Sequence, residues 1–229
     1  MAKLGCERNG DDMLIVTGGS IDDALVLGLL DENDYGTVIA CDSGIEFFRR
    51  NDLLPDLILG DFDSARKDTV EFFKAQTHVC LEQFPSQKDW TDTELAVRRA
   101  LERGPARIDL VGATGGSRID HLLGNVQLLL LALGEGVQMF LLDANNRIRL
   151  LAQGMTLAKG EQYGDFVSLL PFGGTARGVT LRGMKYPLDH ATLTPDITIG
   201  ISNEIVDAEA EISFSEGMLL MIESRDSAV

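Results

Sequence analysis

The chain is poor in positive charge. Its 20 Lys and Arg face 36 Asp and Glu, a formal net charge of −16 at pH 7. No stretch gathers the basic residues into the stripe that a nucleic-acid backbone requires, so nucleic acid is excluded as a partner. An anionic phosphate ligand would need a metal ion to bridge it to so acidic a protein. Cysteine is scarce too: Cys6, Cys41 and Cys80 make an odd count of three without a Cys-x-x-Cys pair. That pattern suits a reducing cytoplasm and buried thiols better than a disulfide framework. The N-terminus lacks the basic segment and apolar stretch of a secretory signal, and the greasiest run, Val126 to Leu133, is too short to cross a bilayer. Neither internal repeats nor low-complexity linkers are visible. What these absences leave is a cytoplasmic chain of 229 residues, 45% hydrophobic, with enough apolar content for one large domain or two modest ones.

The stretch around which the rest is organised is Pro55-Asp56-Leu57-Ile58-Leu59-Gly60-Asp61-Phe62-Asp63-Ser64. An apolar run of strand length reads as a buried parallel strand, and Gly60 permits a tight turn where it ends. In an open α/β sheet, ligands bind at the carboxyl ends of the strands. If the extended conformation lasts through Asp63, alternation points Asp61 and Asp63 the same way. Two carboxylates so close repel unless a cation lies between them, and Mg²⁺ is the simplest candidate, since it takes oxygen ligands and shares them with substrate phosphates. Two solvated acids in a turn is the competing reading.

Upstream, the strand Met13 to Val16 breaks into Thr17-Gly18-Gly19-Ser20, a phosphate-approaching loop or only a tight turn, before a helical pattern through Leu30. The strand Val38 to Ala40 ends at Cys41-Asp42-Ser43-Gly44, which places Asp42 opposite Asp61 and Asp63 or makes it an N-cap for the helix that follows. Downstream, a helix carrying Val70, Phe72 and Phe73 leads to a strand near Val79 to Phe84. In Lys88-Asp89-Trp90-Thr91-Asp92-Thr93-Glu94, Thr91 and Glu94 have the spacing of a capping box for a helix from about Thr91 to Glu102. Lys88 and Asp92 are left over, a cation and a carboxylate suited to a phosphate and its metal. The strand Ile108 to Val111 runs into a glycine loop ending Gly115-Gly116-Ser117-Arg118-Ile119-Asp120-His121, with one helix expected from there through Leu133. Arg118 is a phosphate-clamping side chain, Asp120 a metal or hydroxyl partner, and His121 a site residue only together with its loop. Alternating strands and helices of this kind predict a parallel βαβ sheet.

After about Asn146 the helical patterns stop. Short β-like runs remain at Arg147–Leu151, Phe166–Leu170, Val179–Arg182, Ile197–Ser202, Ala210–Phe214 and Met218–Ile222, the texture of a small sandwich or barrel. The expected fold class is α/β, with a Rossmann-like parallel sheet and flanking helices over residues 1–145 and an all-β sandwich over residues 146–229.

Five motifs in order then resemble the thiamine pyrophosphokinase family over nearly the full length: Cys41 to Gly44, Pro55 to Ser64, Lys88 to Glu94, Gly115 to His121, and, in the β part, Gly183 to Leu188 with Ile201-Ser202-Asn203-Glu204. The resemblance implies transfer of a pyrophosphoryl group from ATP to the hydroxyl of thiamine, with AMP released, by a homodimer whose active sites lie between subunits. It places Asp42, Asp61, Asp63 and Asp92 around Mg²⁺ and the triphosphate. Lys88, Thr91, Gly115, Gly116, Arg118, Asp120 and His121 fall on the nucleotide side, and Ser202 and Asn203 in the thiamine pocket. The sequence departs from the family pattern at Ser43 and Ser117, where glycine is frequent, and at Ile205-Val206, near which eukaryotic members carry a tryptophan. Two other functions stay open at this point: a phosphatase in which Asp61 is an aspartyl nucleophile, and a non-catalytic sensor of nucleotide or thiamine.

Overall fold

The computed structural model describes residues 10–85 and 89–227. Its contacts divide the chain into two compact units, with the boundary between Ala144 and Asn145.

The first unit is built on six parallel strands, β1 (Asp12–Val16), β2 (Tyr35–Cys41), β3 (Leu57–Gly60), β4 (Cys80–Gln83), β5 (Arg107–Val111) and β6 (Gln138–Leu142), in the order β4-β3-β2-β1-β5-β6. The helices are α1 (Asp23–Glu32), α2 (Ile45–Arg50), α3 (Lys67–Lys74), α4 (Asp92–Leu101), α5 (Ile119–Gln127) and α6 (Leu129–Gly134). Because helices cover the sheet, the central strands are mostly continuous apolar runs rather than alternating: Leu14, Ile15, Val16, Val38, Ile39, Ile58, Leu59 and Leu110 are fully buried. The chain winds outward from β1 to β4 and then returns to lay β5 on the other side of β1. That reversal makes a crevice at the carboxyl edge, between the loops after β1 and β5.

Two expectations for this unit need correction. The helix expected through Leu133 is interrupted at Leu128, where the tighter i→i−3 bond from the Leu128 N–H to Asn125 O separates α5 from α6. Cys41 is buried as expected, but Cys80 is exposed, because β4 lies at the edge of the sheet and has strand β3 on one side only. Cys6 lies outside the described residues.

The second unit is antiparallel: β7 (Asn146–Leu151), β8 (Met155–Ala158), β9 (Phe166–Arg182), β10 (Leu188–Leu193), β11 (Glu209–Ser213) and β12 (Glu216–Ser224). The expected strands Phe166–Leu170 and Val179–Arg182 are two ends of the one 17-residue strand β9. Its first half pairs with β12 and its second half with β10 and β11, so both ladders share it. Gly173 sits at the change of partner with φ 70°, in the left-handed region that favours glycine. Val167, Leu169, Val179, Leu181, Leu219 and Met221 form the core between the ladders. Within this unit Glu223 is fully buried and accepts two hydrogen bonds from Arg147, Nε and Nη2 each at 2.7 Å.

Ile197–Ser202 is not the strand its alternation suggested. It is a turn-rich loop in which Gly200 lies so close to the Leu169 carbonyl that an added Cβ would be 2.1 Å from that oxygen. Strands β8 and β10, by contrast, were not foreseen.

Candidate active site

A cleft of about 600 Å³ opens at the carboxyl edge of the parallel sheet. Its acidic wall begins where β2 and β3 end. Asp42 follows β2 in a left-handed conformation, φ 49°, and starts a single 3-10 turn over Asp42–Gly44. The end of β3 lies directly against it: a Cβ on Gly60, whose φ is 150°, would be 3.1 Å from the Asp42 Cα. Only a residue without a side chain fits there comfortably. Beyond Gly60 the strand stops, and Phe62 reverses the chain with φ 62°.

The carboxylates of Asp42, Asp61 and Asp63 thus converge, each offering an oxygen within 4.8 Å of the others. The route differs from the sequence expectation. Asp61 and Asp63 are not alternate residues of an extended strand, since the Phe62 turn lets the Asp63 N–H donate to Asp61 Oδ1 at 3.0 Å. Asp42 does not cap a helix with its side chain. Its Oδ2 instead accepts from the Ser64 hydroxyl, and its Oδ1 is buried with no hydrogen-bond partner. Burial pushes the Asp42 carboxyl above the usual range, the Ser64 hydrogen bond opposes this, and the negative charges of Asp92 and Asp61 add to the rise. An orphaned buried oxygen among acids that repel one another is a donor set suited to a hard divalent cation.

The other walls come from helix starts and glycine loops. Thr91 caps α4, its hydroxyl accepting from the Glu94 N–H at 3.1 Å, and Asp92 opens the helix on the cleft. The capping box is half made, because Glu94 turns to Arg98 and not back to the cap. Thr93 ties this helix to the loop after β1 through a 3.0 Å hydroxyl contact with Thr17. The Gly18-Gly19 loop does more than turn: the Gly19 N–H donates to Gly112 O at 3.0 Å, so the loops after β1 and β5 touch, and a Cβ on Gly19 would be 2.2 Å from that oxygen. Gly115, Gly116, Arg118 and His121 also line the cleft. Arg118 is exposed and pairs with Asp120 at 2.5 Å, which holds the Asp120 carboxyl below its usual range.

Lys88 lies outside the described residues. Ser202 and Asn203 belong to the β unit. Ser202 is exposed, with φ 57°, whereas Asn203 is buried and its amide is engaged by the Tyr186 backbone at 2.9 and 2.8 Å. Sequence reasoning passed over several cleft residues: Ser64, Thr93 and Trp90 stood inside the motifs without a role, and Thr17 looked like an ordinary turn residue. Nothing local foretells that the amide of Asn125 donates to Ala113 O at 2.8 Å and holds the glycine loop.

A doubly wound sheet with its cleft at the reversal of strand order places the first unit among the α/β proteins that receive ligands at the carboxyl edge. Comparison with known proteins narrows the class. Residues 29–141 match the model of the thiamin pyrophosphokinase catalytic domain, and residues 154–219 that of the thiamin pyrophosphokinase vitamin B1 binding domain. A thiamine pyrophosphokinase of Bacillus subtilis is 34% identical over 214 residues, 92% of each chain. The crystal structure of thiamine pyrophosphokinase from Bacillus subtilis superposes with a TM-score of 0.83 at 33% identity, covering 94% of this chain and all of that one. That from Geobacillus thermodenitrificans gives 0.81 at 34% identity, covering 95% and 99%. This chain belongs to the thiamine pyrophosphokinase family.

Proposed function

We propose that the chain transfers the pyrophosphoryl group of ATP to the hydroxyl of thiamine, forming thiamine pyrophosphate and AMP. The observation that carries this reading is the convergence of Asp42, Asp61 and Asp63 at the carboxyl edge, with Asp42 Oδ1 buried and unpartnered, inside the span that matches the family's catalytic domain. Asp42, Asp61 and Asp63 would hold Mg²⁺, with Asp92 beside them. Bound there, the ion supplies charge neutralisation for the triphosphate oxygens.

The protein's own groups position the reactants. The glycine loops after β1 and β5 let backbone N–H groups approach the phosphates, and Arg118 and Lys88 add positive charge on the nucleotide side. The thiamine hydroxyl oxygen forms a bond to the β-phosphorus and gives up its proton to solvent, the bond from that phosphorus to the oxygen bridging it to the α-phosphorus breaks, and AMP departs with that oxygen. Family membership gives no support to an aspartyl-phosphatase or to a sensor without turnover. The decisive assay supplies thiamine, ATP and Mg²⁺: thiamine pyrophosphate and AMP should appear in equal amounts, and ADP as the main nucleotide product would overturn the reading.

The proposal extends to a cytoplasmic homodimer in which Ser202 and Asn203 of one subunit complete the thiamine site of the other. Its support is the division of labour between an α/β unit holding the phosphate-type residues and a β unit that carries Ser202-Asn203. No helix among the described residues is long and apolar enough to cross a membrane. Mixing Asp61→Asn subunits with subunits carrying Ser202→Ala and Asn203→Ala tests the dimer. A shared site restores up to about half of the mixed dimer's activity, because one of its two sites is then intact. No recovery in confirmed mixed dimers overturns the shared site.

A further inference from the structure

Trp90 is the chain's one tryptophan, and 47% of it is exposed, although tryptophan is highly buried on average. It stands directly before the Thr91 cap of α4 and lines the acidic cleft. It is not seated in the core below, since it also borders a second depression of about 450 Å³ with Phe84, Leu95 and Leu131. One face of the indole is occupied: the Arg98 guanidinium lies 4.8 Å from the ring centroid. Glu94 fixes that guanidinium, Oε1 accepting from Arg98 Nε at 2.9 Å and Nη2 at 2.7 Å. A core-filling role leaves this arrangement unexplained. A flat ring held in place by a cation and exposed at a cleft wall is what a stacking platform requires.

Resting on the function proposed above, we infer that Trp90 receives the purine base of the nucleotide on the indole face that Arg98 leaves open, and so contributes affinity for the pyrophosphoryl donor. The reaction offers three aromatic rings, the thiazolium and the neutral aminopyrimidine of thiamine and the purine of ATP, and of the two neutral rings the bicyclic purine presents the larger stacking face. The thiazolium is a cation, and the indole already carries the Arg98 charge on one face, so a second cation across the same ring is repelled. The neutral purine meets no such penalty and stacks on an aromatic side chain whatever its substituents. The acidic cluster and Trp90 belong to one cleft, so a nucleotide with its phosphates at the carboxylates keeps its base within reach of the same wall.

Because no second tryptophan contributes, fluorescence excited selectively over the three tyrosines reports on this residue alone. A non-hydrolysable ATP analogue with Mg²⁺ should quench it saturably, with the midpoint measured by equilibrium dialysis, and thiamine by itself should leave it unchanged. Trp90→Ala should weaken analogue binding and raise the KM for ATP about tenfold, within the span of about 5-fold to 150-fold expected for one lost base stack. The KM for thiamine should stay within about twofold. Trp90→Phe should recover most of the loss, and both variants should melt like the parent, since the side chain is half exposed.

Analogue retained in dialysis without a fluorescence change, or bound equally by Trp90→Ala, overturns the proposal while the proposed reaction stands. Quenching by thiamine in place of the nucleotide overturns it in favour of a ring of thiamine. A quench by the analogue in a protein that makes no thiamine pyrophosphate sinks the reaction and leaves the stacking intact. An analogue that is neither retained nor quenching sinks both.

Discussion

Asp61→Asn is the most informative perturbation of the acidic wall, because the substitution keeps an oxygen for the hydrogen bond from the Asp63 N–H and removes only charge. Two unit charges 4.8 Å apart, the outer limit for the cluster oxygens, repel by about 3.5 kcal/mol at an effective dielectric of 20 and by about 0.9 kcal/mol in bulk water. The carboxylates are partly exposed, so the lower part of that range applies to each pair. The substitution removes two of the three pairs, a relief of about 2 kcal/mol. Without metal the variant should therefore melt about 4–8 °C above the parent for a chain of this size. Magnesium should reverse the order. At a hundred times its dissociation constant the ion stabilises the parent by about 2.7 kcal/mol, and it gains less purchase on a site one charge poorer. Calorimetry in EDTA and in Mg²⁺ would show the two melting curves exchange places, while turnover falls by two orders of magnitude or more. An offset of the same sign and size in both buffers would refute the reasoning and return Asp61 to a solvated turn.

Other outcomes follow from single contacts. Thr91→Ala removes the cap of α4 and should lower stability by about 1 kcal/mol, with Thr91→Ser restoring it; thermal melts with no difference would mean that solvent caps the helix equally well. Gly60→Ala places a Cβ 3.1 Å from the Asp42 Cα at φ 150°, and should destabilise the fold by about 1–3 kcal/mol while shrinking the Mg²⁺-induced rise in melting temperature; an undiminished rise would show that Asp42 is not part of the metal site. Glu223→Gln leaves Arg147 without its buried carboxylate, and urea unfolding should report a loss of about 3–5 kcal/mol; a loss below about 1 kcal/mol would show that the guanidinium regains solvent freely.

The parallel sheet was legible because burial on both faces writes itself as continuous apolar runs ending in glycine, as at Leu57 to Gly60. The acid cluster was legible in its members but not in its geometry. Extended alternation and a left-handed Phe62 bring Asp61 and Asp63 together equally well, and a sequence does not show which residue tolerates φ 62°. Period-2 patterns misled in the β unit. Ile197, Ile199 and Ile201 alternate like a strand, yet all three are exposed and the segment is a loop folded onto Leu169. The real strand β10 is short, half polar without strict alternation and irregular in register, so it left no such pattern. The break at Leu128 has no glycine or proline at the residue itself; Gly124 stands one turn before it, and a glycine inside a helical pattern does not by itself mark an interruption. Trp90 escaped notice because its role depends on Arg98, one of its neighbours only once α4 has formed.

The pairing of β7 with β12 also has a bearing on the order of events during synthesis. These strands close the second unit through contacts between residues as far apart as Arg147 and Glu223, separated by 76 positions. A ribosome releases the chain from its N-terminal end, and domains fold as units when their residues become available. The α/β unit has all its strands in hand before β7 emerges. The β unit does not: β7 must wait for the last strand to leave the exit tunnel, and the first half of β9 waits for the same partner. Until then β7 and the first half of β9 lack the strand they pair with, the stage at which a nascent chain is most exposed to mispairing and has most to gain from a chaperone.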